Sequence, residues 1–124
     1  MASHPIVHIE IPAESMQTSC DFYAAVFDWN IQTDPTYSYS MFSAEGGPGG
    51  GFVGIDEGGD MQYKIDSLLV YIGTDDIDAS LAKIAAQGGK VVQPKTEIPH
   101  IGWFARFTDP AGNNLALFTA AERE

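Results

Sequence analysis

The feature that most constrains this chain is an internal echo. Displaced by sixty-one positions, residues 9–32 fall without a gap on residues 70–93. Met16, Cys20, Tyr23 and Phe27 follow one another at steps of four, three and four, and Ile77, Leu81, Ile84 and Gly88 repeat those steps. That spacing is one apolar face of a helix, written twice. Before the first helix, residues 5–11 alternate as a strand does, with Val7, Ile9 and Ile11 on one side and Ile6, His8 and Glu10 on the other. Ser15 is placed to cap the first helix, and Asp28 stands where a left-handed residue would end it.

Short β runs follow at 29–33, 37–44 and 52–55. Between the last two, EGGPGGG (45–51) reads as a turn or mobile loop; a phosphate-binding loop would need a Lys-Ser or Lys-Thr pair opening a helix, and a strand follows instead. The second copy opens with a β run at 67–72, and Thr74, Asp75 or Asp76 can cap its helix, which Gly88 and Gly89 stop. Strands are predicted at 90–93, 102–108 and 115–119, with 94–99 as a connection and DPAGNN (109–114) as a turn. Each copy thus reads strand, helix, strand, strand, strand.

The fold class expected is α+β: two βαβββ modules forming a curved, partly open eight-stranded sheet around a pocket. Module one is placed at about 5–57, an acidic, glycine-bearing linker at about 58–66 and module two at about 67–120, all within a single domain over 5–120.

Composition narrows the partners. Seventeen acidic and six basic residues give a formal charge of −11, which repels phosphate backbones and anionic membranes, so neither nucleic acid nor membrane is expected. Apolar residues make up 44% and charged residues 19%, as in a soluble globular chain. No apolar run approaches the roughly 20 residues of a membrane helix, and MASHPIVH lacks the basic start and apolar block of a secretory signal, so the expected compartment is the cytoplasm. Cys20 is the only cysteine, which excludes an internal disulfide, and its place in the apolar series reads as core.

Several stretches together resemble the vicinal oxygen chelate superfamily, which includes glyoxalase I, extradiol dioxygenases, fosfomycin-resistance enzymes and bleomycin-binding resistance proteins. They are VHIEI at 7–11, DFY at 21–23, YIGTDDIDASLAKIAAQGG from Tyr71, and GWFARFTDPAGNNLALF from Gly102. The resemblance implies a site on the concave face, to which metal-using members contribute side chains from the first and last strands of each module. His8 matches the first of these places. The second falls on Leu69, the fourth on Ala116, where metal-using members typically carry Glu, and the third near Val53. His8 is therefore the only ligand position retained, and a lone imidazole does not hold a transition ion.

The expectation is a small-molecule-binding protein of the glyoxalase/bleomycin-resistance type with no cofactor and no catalytic metal, taking an organic ligand in the pocket. Ligand-binding candidates are His8, Glu10, Leu69, Tyr71, Trp103, Asn114, Ala116 and Phe118, with Trp103 as a stacking platform. The alternatives are a divalent-metal-dependent lyase, isomerase or dioxygenase, its site completed by Glu10 or His100, and a metal-free enzyme with His8 and Glu10 as catalytic acid and base. The resemblance also implies a homodimer.

Overall fold

The structure is a computed structural model that describes residues 4–34, 39–55, 64 and 67–121. It is α+β, with β1 (Ile6–Ala13), α1 (Met16–Phe27), β2 (Asn30–Asp34), β3 (Tyr39–Ser43) and β4 (Gly49–Gly54), then β5 (Leu69–Gly73), α2 (Ile77–Ala86), β6 (Lys90–Ile98), β7 (Gly102–Thr108) and β8 (Asn114–Ala120). The βαβββ order occurs twice, as the echo requires. The linker expected at 58–66 lies almost wholly outside the described residues. No helix among the described residues is long and apolar enough to cross a membrane. Two compact units divide the chain: one runs from His8 to Leu69, and the other joins the stretch from Val70 onward to the first residues, as far as Val7.

In the unit of His8–Leu69 the strands lie in the order β2-β3-β4-β1, with β4 and β1 parallel and the other neighbours antiparallel. Helix α1 begins where Ser15 Oγ accepts the Thr18 amide at 3.3 Å, and ends at Asp28, whose φ of 56° is left-handed and whose N–H reaches Ala24 O. Met16, Cys20 and Tyr23 press on a core of Ala13, Phe42 and Phe52, with Ile11, Trp29 and Ile31 at its border. Trp29 stacks on Phe42 at 4.4 Å between centroids and on Tyr23 at 5.0 Å. Phe27, the fourth residue of the periodic series, ends the helix and stays exposed, its ring beside those of Tyr23 and Trp29.

Strand β4 starts earlier than its composition suggests. Gly49, Gly50 and Gly51 belong to the strand, so the turn is confined to 45–48. The glycines serve close approach: a Cβ at Gly50 would overlap the carbonyl of Ile9 and the ring of Phe42, and one at Gly51 would overlap the ring of Tyr39.

The other unit has the order β5-β8-β7-β6. Asp76 caps α2 by accepting the Ala79 amide at 3.0 Å, and Ile77 and Leu81 bury against Ala105, Phe107 and Leu117. The N-terminal residues join this unit, since Gly73 N–H donates to Pro5 O at 2.8 Å and His4 Nδ1 donates to Gly73 O at 3.1 Å. Strand β6 continues to Ile98 through Pro94, where a connection was expected. Proline is accommodated because β6 is last in the order and its pairing with β7 shifts register between Val91 and Thr96. In the β7–β8 turn the Asn113 side chain and amide and the Ala111 amide all donate to Asp109, and these bonds hold its carboxyl below the usual range.

The glycine assignment has a measurable consequence. Gly50→Ala is expected to lower unfolding free energy by about 1–3 kcal/mol through overpacking. Gly47→Ala, where an added Cβ meets nothing within 4 Å, is expected to change it by less than about 0.5 kcal/mol; urea titration of the two variants compares them.

Candidate functional site

Alternation divides each strand between the helix-covered side and the side opposite. In β1, Ile11 and Ala13 pack toward α1, so His8, Glu10 and Pro12 point the other way. In β3, Phe42 is in the core, which puts Tyr39 and Met41 on the side of His8. The register draws these residues into rows: Tyr39 opposes Val53, which opposes Pro12; Met41 opposes Gly51, which opposes Glu10; and Gly49 opposes His8. Two of the β4 positions on this face therefore have no side chain, and the phenol of Tyr39 leans across Gly51 to reach β1.

There it meets both polar residues. The Tyr39 hydroxyl donates to Glu10 Oε2 at 2.9 Å, and His8 Nε2 lies 2.8 Å from the same oxygen. A phenol has one proton to give. With that proton directed at the carboxylate, the oxygen accepts from His8, so Nε2 carries hydrogen and a neutral His8 has Nδ1 as its acceptor nitrogen. Glu10 is only 7% exposed, a burial that a carboxylate tolerates when hydrogen-bonded. Burial pushes the His8 imidazole below its usual 6.5, and the attraction of Glu10 opposes that shift without cancelling it.

Tyr39 was not singled out as a site residue by sequence reasoning: Gly49 and Gly51 lie opposite His8 and Glu10 only through the pairing of β4 with β1, and from composition they read as a turn.

In the other unit, Ile72 and Leu117 mark the helix-covered side, so Tyr71 of β5 and Asn114, Ala116 and Phe118 of β8 share the opposite side, as alternation predicts; Leu69, the first residue of β5, belongs to the unit of His8–Leu69. Tyr71 opposes Ala116 and Ala116 opposes Arg106; Gly73 opposes Phe118 and Phe118 opposes Phe104. Asn114 is exposed at the start of its strand. Trp103 lies elsewhere: it packs against the core beneath α2, with Lys95 Nζ 5.3 Å above its ring. Trp103, Ala105 and Phe107 share one side of β7, the side that packs beneath α2. Phe104 and Arg106 take the other side, and neither was foreseen. The arginine, a poor occupant for a helix-covered side, was the available signal.

A family model described as Glyoxalase/Bleomycin resistance protein/Dioxygenase superfamily matches residues 5–117. The chain belongs to that superfamily. A glyoxylase-like domain-containing protein from Didymella fabae is 30% identical over 122 residues, covering 90% of both chains. Anthracycline biosynthesis protein DnrV from Streptomyces peucetius is 28% identical over 132 residues; the match takes in 88% of this chain but 44% of that protein, so this chain spans under half of its length. Among solved structures, a glyoxalase/bleomycin resistance protein/dioxygenase superfamily member from Vibrio splendidus superposes with a TM-score of 0.67 at 14% identity, covering 94% of this chain and 99% of that one. At that identity the likeness concerns the fold.

Metal-using members of the superfamily need about three or four protein donors around the ion, and the residues here do not fit that demand. Leu69, Ala116 and Val53, the residues that the resemblance matches to three of the four ligand places, are buried hydrocarbon. His8 faces Gly49 across the strand pair, and its Nε2 is engaged by Tyr39. His100 is exposed in a turn with φ of 68°. Among the described residues no group of three or more His, Cys, Asp and Glu side chains is gathered.

The depressed imidazole sets a pH dependence. Since the folded pKa lies below the unfolded 6.5, the unfolded chain binds the proton first, so stability is full above about pH 6.5 and falls as pH drops toward the folded value. His8→Gln removes that contribution, and its unfolding free energy should decline less between pH 7 and pH 5 than that of the parent, as urea titrations at both pH values would show. NMR should find the His8 ring neutral at pH 7.

Proposed function

We propose that this chain is a small-molecule-binding member of the superfamily that works without a catalytic metal, holding an organic ligand against the strand face of His8, Glu10 and Tyr39. The observation that supports this most is the fate of the ligand places: hydrocarbon fills three of them, and the remaining imidazole is committed to a phenol. Met41, on the same face and 54% exposed, offers apolar contact beside the polar trio. A relative named for anthracycline biosynthesis makes flat aromatic polyketides the first compounds to try, and the acidic background favours neutral or cationic ones. Two copies of the chain are proposed to pair, as is common in the superfamily.

A second reading is a metal-free enzyme, favoured by the continuous chain of hydrogen bonds from His8 through Tyr39 to Glu10. Such a chain can relay a proton: as Nδ1 of the neutral His8 takes one from a substrate, Nε2 gives its own to the phenol oxygen and the phenol proton moves to the Glu10 carboxylate.

One titration series separates these readings from a metal-dependent lyase. Against a panel of polycyclic aromatic compounds, treatment with a strong chelator is expected to leave affinity unchanged, and His8→Ala to weaken it roughly tenfold, the usual worth of a hydrogen bond to a buried polar group. Binding or turnover that disappears with the chelator and returns with one equivalent of a divalent ion would contradict the proposal.

A further inference from the structure

The polar trio carries information about what it recognises. Glu10 and His8, on one strand face, both direct a hydrogen bond at the oxygen of Tyr39, the carboxylate accepting and the imidazole donating. That pair of contacts is specific for a hydroxyl, which gives one proton and takes one. The group they hold is moreover an aromatic hydroxyl, and it lies over Gly51, where the strand presents bare backbone. A flat ring from any source can lie on such a floor. Tyr39 is the first residue of β3, and its ladder partner Val53 is next to last in β4, so its side chain is delivered from the end of the strand pair. Beside it, Met41 presents an exposed thioether on the same face, a soft surface that suits an aromatic edge.

We infer that His8 and Glu10 form a receptor for an aromatic hydroxyl, and that Tyr39 occupies it as an internal stand-in until a hydroxyaryl ligand displaces its phenol. This inference rests on the binding function proposed above and names its ligand class. The exchange conserves hydrogen bonds: the ligand hydroxyl donates to Glu10 Oε2 and accepts from His8 Nε2, while the released Tyr39 hydroxyl turns to water. The exchange leaves both Glu10 and His8 with a partner, which matters because a buried polar group left without one is destabilising. The hydroxyl is recognised for its proton as much as for its oxygen, so an aryl ether of the same shape is a poor substitute.

The test compares 2-naphthol with 2-methoxynaphthalene by calorimetric titration into the wild-type chain and into Tyr39→Phe, with Tyr39→Leu as a second variant should the first fail to fold. Wild type is expected to prefer the naphthol. Removing the competing hydroxyl should widen that preference roughly tenfold in Tyr39→Phe, and adding His8→Ala should narrow it again. A preference that is absent in wild type, or that stays level or shrinks in Tyr39→Phe, overturns the inference. If other aromatic compounds bind without any preference for a hydroxyl, the inference falls while the binding function stands. If no aromatic compound binds, both fall.

Discussion

A carboxylate and an imidazole set two residues apart on a buried strand face need a partner, and the form of this module follows from how that need is met. The Tyr39 phenol answers both, giving its proton to Glu10 and taking one from His8. For the phenol to arrive, β3 must deliver it from two strands away, and β4, lying between, must not obstruct it. Gly51 meets that condition, since a Cβ there would overlap the ring. The glycine-rich segment is therefore part of the site's construction. Its neighbour Gly50 answers a separate demand on the core side, where Ile9 and Phe42 close over it. The same hydrogen bonds set the chemistry, because they fix which imidazole nitrogen carries hydrogen and let a carboxylate remain almost fully buried.

The two modules solve the same packing problem with different materials. Below α2 the core is aliphatic with a single phenylalanine at its centre, built on Ile77, Leu81, Ala105, Phe107 and Leu117. Below α1 it is a run of stacked rings, Tyr23, Trp29, Phe42 and Phe52. Large rings on one side of β3 and β4 require a small residue where they cross, and Gly50, where a Cβ would overlap the ring of Phe42, supplies it. On the opposite sides the two modules differ in polarity: polar groups cluster on β1 and β3, while β5, β7 and β8 carry Tyr71, Phe104, Ala116 and Phe118 around Arg106.

Much of this was legible in the chain itself. Helix faces, the Ser15 cap, a cap for α2 among Thr74, Asp75 and Asp76, the left-handed Asp28 and the two sides of β1, β5 and β8 all follow from period and turn chemistry, which are local properties. What stayed hidden depends on which residues meet across strands. Tyr39 bears on His8 only through the register of β3 on β4 and β4 on β1, and no local pattern encodes that register. Trp103 was ambiguous because both sides of GWFARFT carry aromatics, and the packing of Ala105 and Phe107 beneath α2 decides between them. Glycines read as a loop from composition, and Pro94 as a connection, until close approach in one case and an end-of-sheet position with shifted register in the other explain them as strand.

Membership of the superfamily comes with a fold whose metal-using members place donors at four points, and the resemblance matches three of these to the buried hydrocarbon side chains Val53, Leu69 and Ala116. The central claim is that the surviving histidine has been recruited, with Glu10, into an energetically real hydrogen-bonded unit built on Tyr39. A double-mutant cycle on unfolding free energy at pH 7, with Glu10→Ala, Tyr39→Phe and the two combined, tests it most directly. The account predicts a coupling of more than about 1 kcal/mol between the two sites. Losses that add to within about 0.5 kcal/mol would mean the two residues are neighbours without being partners, and would contradict it.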